Sequence, residues 1–178
     1  MAKIIYRKGM EGQNKLSCIE GIEIDLLNGQ KALIFPKYSE EKLLESDQIT
    51  QWGARELSEM EALKVEDTVS ETVALFNLGS PAANWVLLFV TKDRRQFSLP
   101  SLLAAMEIQH QKEEIDALAE TIEGADLMRD FTSNVWSCSR NSAYFGWVAY
   151  GGGGYANGNG LGAACLAVPT ILYREEEI

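Results

Sequence analysis

Histidine is nearly absent: His110 is the single one among 178 residues. A Ser-His-Asp hydrolase would have to be built on it, yet its neighbours Gln109, Gln111 and Lys112 read as the solvated face of a helix. Cysteine is scarce too. Cys18, Cys138 and Cys165 form an odd set without C-x-x-C spacing, which argues against a disulfide framework and, with one histidine, against a structural zinc site. No catalytic residue, metal site or cofactor is therefore expected. Cys138 and Cys165 could lie on neighbouring strands, where small buried thiols are expected rather than a disulfide.

Cations are in the minority, with 16 Lys and Arg against 26 Asp and Glu and a net charge of −10. Such a field repels nucleic-acid phosphates, and Arg94-Arg95 is the one adjacent arginine pair. Nucleic acid is not an expected partner. Long apolar runs are missing as well. Residues 85–90 and 163–169 are the longest, far short of the roughly 20 residues a spanning helix needs, so no membrane span is expected. Gly9, Met10, Glu11 and Gly12 stand where a signal peptide would place its apolar core. No leader is read, and the location stays unassigned between the cytoplasm and a cell surface or virion reached by non-classical export. The carboxylate runs Glu113-Glu114 and Glu175-Glu176-Glu177 read as solvated charge.

What is present fits an ordinary α+β domain: 46% of the residues are hydrophobic and 24% charged, close to the globular average. Residues 16–35 predict a hairpin, with apolar and acidic residues alternating over 22–26 and Asn28-Gly29 at the turn. Pro36 ends its second strand. Residues 38–66 fit neither period and read as loop and short helix. A helix is expected over 67–78, stopped by Gly79. Ser80-Pro81 opens another, through about Phe89, since Ser caps amide donors and Pro at the first position loses none. A longer helical stretch starts after Ser101 and ends at Gly124. Residues 134–173 form a β half. Residues 1–79, a hairpin and helical segment, are expected to belong to the same domain as residues 80–178.

The tract from Gly151 to Gly162 invites a phosphate-loop reading, but no Lys-Ser/Thr closes it and no helix follows. A long hairpin tip or irregular loop is expected instead. Around it gather aromatic faces and Asn and Arg donors, the mix used by sugar-binding sites and protein hot spots. The candidate ligand-binding residues are Arg140, Asn141, Tyr144, Tyr150, Tyr155, Asn157 and Asn159. Alternation puts Phe145, Trp147 and Ala149 on one face and Tyr144, Gly146, Val148 and Tyr150 on the other. Trp147 is expected in the core; Tyr155 and the asparagine pair are expected outside.

The order of motifs over residues 80–173 carries a resemblance: Phe97-x-Leu99-Pro100-Ser101, then Val135-Trp136-Ser137-Cys138-Ser139, Gly146-Trp147-Val148, the Gly/Asn tract, and Ala167-Val168-Pro169-x-Ile171. It resembles the collagen-like-adhesin C-terminal domain family. The resemblance implies a C-type-lectin-like fold, with two or three helices beside a twisted antiparallel sheet and an added N-terminal hairpin. Phe97 stands where that family has Trp, Ala104 where it has an acidic residue, and Val168 where it has Arg before proline. Calcium-dependent lectins carry Glu-Pro-Asn or Gln-Pro-Asp and Trp-Asn-Asp tripeptides, and none occurs here. The expected function is a non-catalytic recognition module, surface or phage-related, for a protein or glycan ligand. The alternative is an assembly protein that builds a homo-oligomer, phage-tail-like, without a small-molecule ligand. An enzyme like the formylglycine-generating relatives of the fold comes last.

Overall fold

A computed structural model describes residues 1–44, 57–131, 134–140, 145–151 and 154–175. The chain is α+β, with two sheets and five α-helices among the described residues. The first sheet holds β1 (Lys3–Tyr6), β2 (Ile19–Asp25), β3 (Lys31–Ile34) and β9 (Thr170–Tyr173) in the order β1-β2-β3-β9, antiparallel throughout. The second holds β4 (Ser39–Lys42), β8 (Ala164–Ala167), β5 (Val135–Arg140), β6 (Phe145–Ala149) and β7 (Ala156–Gly160) in the order β4-β8-β5-β6-β7. Within it β5 and β8 run parallel, meeting at Val135 and Leu166. Two sheets and a parallel pair thus replace the one antiparallel sheet expected.

The hairpin of β2 and β3 turns at Asn28-Gly29 as its sequence demands, with Gly29 at φ +84°. Ile22, Ile24, Ala32 and Ile34 point into the main core. The helices are α1 (Glu59–Leu63), α2 (Thr68–Asn77), α3 (Pro81–Val86), α4 (Leu102–His110) and α5 (Lys112–Ala119). Ser80 and Ser101 accept the amides of Ala83 and Ala104, so each serine caps its helix. The stretch after Ser101 is not one helix to Gly124: it breaks at Gln111 and α5 ends at Ala119, with Gly124 in the following turn at φ +89°.

Alanines let α4 sit close between both sheets. Ala104, Ala105 and Ile108 of α4, with Ile115 and Ala119 of α5, pack against Ile22, Ile24 and Ile34 on one side and Val135, Ala149 and Leu166 on the other. The opposite face of the second sheet buries Trp136, Cys138, Val148 and Cys165 under α2 and α3. Trp136 is wholly buried. At the areas typical of an aromatic side chain, its removal from water contributes about 4–6 kcal/mol before side-chain entropy is charged. Residues 1–79 enter both sheets: β3 pairs with β9 and β4 with β8. Among the described residues no helix is long and apolar enough to cross a membrane.

Candidate functional site

The Gly/Asn tract is not a loop throughout, because β7 runs inside it and pairs antiparallel with β6 from Phe145–Gly160 to Ala149–Ala156. Tyr150 closes the pair by donating its N–H to the Tyr155 carbonyl at 3.0 Å. Gly154 turns at φ +70° with its backbone against the His110 ring, where a Cβ would collide. Glycine is required there by both conformation and space.

The register places Phe145, Trp147 and Ala149 opposite Gly160, Gly158 and Ala156. On this face the aromatic rings of β6 therefore stand beside a strand with no side chain larger than methyl. Phe145 is 46% exposed. Trp147 is half-buried and donates its indole N–H to the Leu57 carbonyl at 2.8 Å. The expectation that Trp147 belongs to the core is corrected: Trp136, on the opposite face, takes that place. Glycine opposite Trp147 was the signal available, since a small cross-strand partner leaves an aromatic uncovered.

The candidate residues fare differently. Tyr155 is 63% exposed and Asn157 is exposed. Tyr150 is half-buried and packs on the second core. Arg140 is buried at the end of β5, where its carbonyl accepts the Leu57 amide at 3.1 Å. Asn141 and Tyr144 lie outside the described residues. Asn159 is engaged within the fold: its Nδ2 donates to Cys165 Sγ at 3.2 Å and its Oδ1 accepts the Gly160 amide at 2.9 Å. Asn157 Oδ1 accepts the Gly158 amide at 2.8 Å. Because Tyr150 and Tyr155 form a hydrogen-bonded pair, alternation turns the N–H groups of Gly158 and Gly160 away from β6. The two asparagines thus occupy two of the three outward donors of this edge strand, those of Gly158 and Gly160.

The cysteine thiols are not displayed at this surface. Cys138 and Cys165 do lie on neighbouring strands, β5 and β8, and all three cysteines are free and buried. Burial pushes the thiols of Cys138 and Cys165 up to about 12, so neither is a thiolate near neutral pH. His110 Nδ1 lies 3.6 Å from the Glu107 carboxylate. No group of three or more His, Cys, Asp or Glu among the described residues could hold a metal ion. The surface can stack, bury apolar area and exchange hydrogen bonds. In comparisons with family models, curated proteins and solved structures, nothing matches this chain.

Proposed function

We propose that the protein is a non-catalytic recognition module of C-type-lectin-like kind, and that it engages a protein or glycan ligand through the face built by β6 and β7. One observation carries this reading: Phe145 and Trp147 stand on one face opposite side-chainless Gly160 and Gly158. An aromatic pair beside bare backbone offers apolar area to a flat partner, with little side-chain entropy lost on contact. Tyr155, exposed at the turn end of the hairpin, extends the surface. The fold assignment draws support from the motif order of residues 80–173 and from α4 and α5 packing beside β-sheet. The high pKa of the buried thiols supports a role without covalent chemistry, and the net charge of −10 weighs against nucleic acid as partner.

The test is a glycan array with calcium and with chelator, run on the wild type beside Phe145→Ser/Tyr155→Ala, after size exclusion has fixed the mass. Asn157 and Asn159 are left intact because they occupy the edge of β7. Glycan binding that survives chelator and falls at least tenfold in the folded variant supports the reading. Absence of glycan binding, with an oligomer that the variant dissociates, replaces it with assembly through the same face.

A further inference from the structure

A second concavity lies away from β6 and β7, and its reading does not rest on theirs. It is a cleft of about 610 Å³ between the β1–β2 connection, the end of β3, the turn after α3 and the turn after α5. Arg7, Lys15 and Lys37 line it with Phe35, Phe89 and a single carboxylate, Glu123. In a chain with a net charge of −10, three cations against one acid in the lining stand out from the acidic surface. Two further carboxylates touch these cations without lining the cleft: Glu20 is 3.7 Å from Arg7 Nε, and Asp126 is 3.4 Å from Lys37 Nζ. Lys15 is exposed and forms no ion pair among the described residues.

The walls are fixed by hydrogen bonds to backbone carbonyls before any ligand arrives. Leu16 N–H donates to the Glu123 carbonyl and Glu123 N–H to the Asn14 carbonyl, both at 2.9 Å. Asp126 N–H donates to the Pro36 carbonyl at 2.8 Å, and Trp85 Nε1 to the Lys37 carbonyl at 3.1 Å. The half-buried rings of Phe35 and Phe89 are packed together, centroids 5.1 Å apart. The feature is an open groove rather than an enclosed cavity, and it sets an aromatic wall beside three cations, the apolar and polar elements that small-molecule sites combine.

We infer that this cleft binds a small organic anion carrying a flat apolar ring, with the ring against Phe35 and Phe89 and the charge held by Lys15, Lys37 and Arg7.

Phenyl phosphate is the first probe, titrated into labelled full-length protein and followed by amide chemical shifts, beside inorganic phosphate and benzyl alcohol. The expected result is a saturable shift of the Ser17, Phe35 and Gly124 amides, with the other two compounds at least tenfold weaker. Lys15→Glu and Lys37→Gln each weaken phenyl phosphate at least fivefold while the spectrum stays dispersed, and Lys112→Glu, at the far end of α5, leaves it unchanged. The inference is overturned by any of three outcomes: no saturable shift at millimolar phenyl phosphate, inorganic phosphate binding equally well, or affinity indifferent to Lys15→Glu and Lys37→Gln.

Discussion

Asn157 folds its carboxamide back so that Oδ1 accepts the N–H of the next residue, Gly158, at 2.8 Å. Asn159 repeats the contact on Gly160 at 2.9 Å. β7 ends its sheet, and an edge of bare glycines is a template for another strand. Side-chain occupancy of the outward donors of Gly158 and Gly160 opposes that pairing. Asn157→Ala/Asn159→Ala is expected to keep the fold and self-associate, giving a concentration-dependent rise in mass by sedimentation. A variant that stays monomeric at the highest concentration tested removes this role from the asparagines.

Gly146 faces the Trp136 ring so closely that a Cβ would stand 2.9 Å from Cζ3, and 2.8 Å from Leu43 Cδ2. The ring is buried and cannot retreat without disturbing the second core. Gly146→Ala is expected to cost about 1–3 kcal/mol through overpacking, read as a lowered midpoint in calorimetry. An unchanged midpoint means that the core there is looser than the geometry states.

Burial holds the thiols of Cys138 and Cys165 at about 12. An unfolded cysteine ionises near 8.5, so the stability these thiols contribute is complete below that pH and is lost progressively towards 12. At pH 8 roughly one native thiol in ten thousand is ionised by this shift. Disulfide-exchange reagents are expected to leave Cys138 and Cys165 unlabelled for hours in native protein and to label them at once in denaturant. Rapid native labelling overturns the assignment, and Cys138→Ala is expected to flatten the alkaline loss of stability.

Asp67 caps α2, accepting hydrogen bonds from Ser70 N–H and Ser70 Oγ, and these hold its carboxyl below the usual range. Its contribution is present above the unfolded carboxylate pKa and disappears as pH falls through the lower folded value. The first turn of α2 is therefore expected to loosen in acid, with Asp67 titrating below the exposed aspartates in a carboxyl NMR titration. A midpoint at the ordinary value counts against the cap.

Ser101 is buried and accepts the Ala104 amide at 3.2 Å at the start of α4. Ser101→Ala is expected to destabilise by about 1–2 kcal/mol, measured by urea denaturation, with Ser101→Asp retaining most of the stability if the oxygen is what matters.

Local chemistry made the helix starts and the β2–β3 hairpin readable. Ser80-Pro81, Ser101 and Asn28-Gly29 act within a few residues, and each occurs where the sequence places it. Ser58 and Glu61 form a capping box at α1 that the mixed composition of residues 38–66 obscured. β4, Ser-Glu-Glu-Lys, carries no β-forming pattern; its pairing with β8 across the chain makes it a strand. β7 was hidden for a related reason, since Ala-Asn-Gly-Asn-Gly is poor strand sequence until β6 supplies the ladder and the asparagines supply the edge. Alternation along β6 divided its residues between two faces, but it could not say which face the helices cover. That choice is set by the packing of α2 and α3 on Trp136 and of α4 on Ala149.

β8 and β9 are separated only by Val168 and Pro169, and they finish different sheets. β8 links β4 to the rest of the second sheet, while β9 covers the open side of β3. During synthesis neither sheet can close until residues 164–173 have left the ribosome, although the helix between them is complete about fifty residues earlier. Ile22, Ile34 and Trp136 wait without their full cover for that interval, so the order of manufacture makes the last ten or so sheet residues the latch of the whole domain.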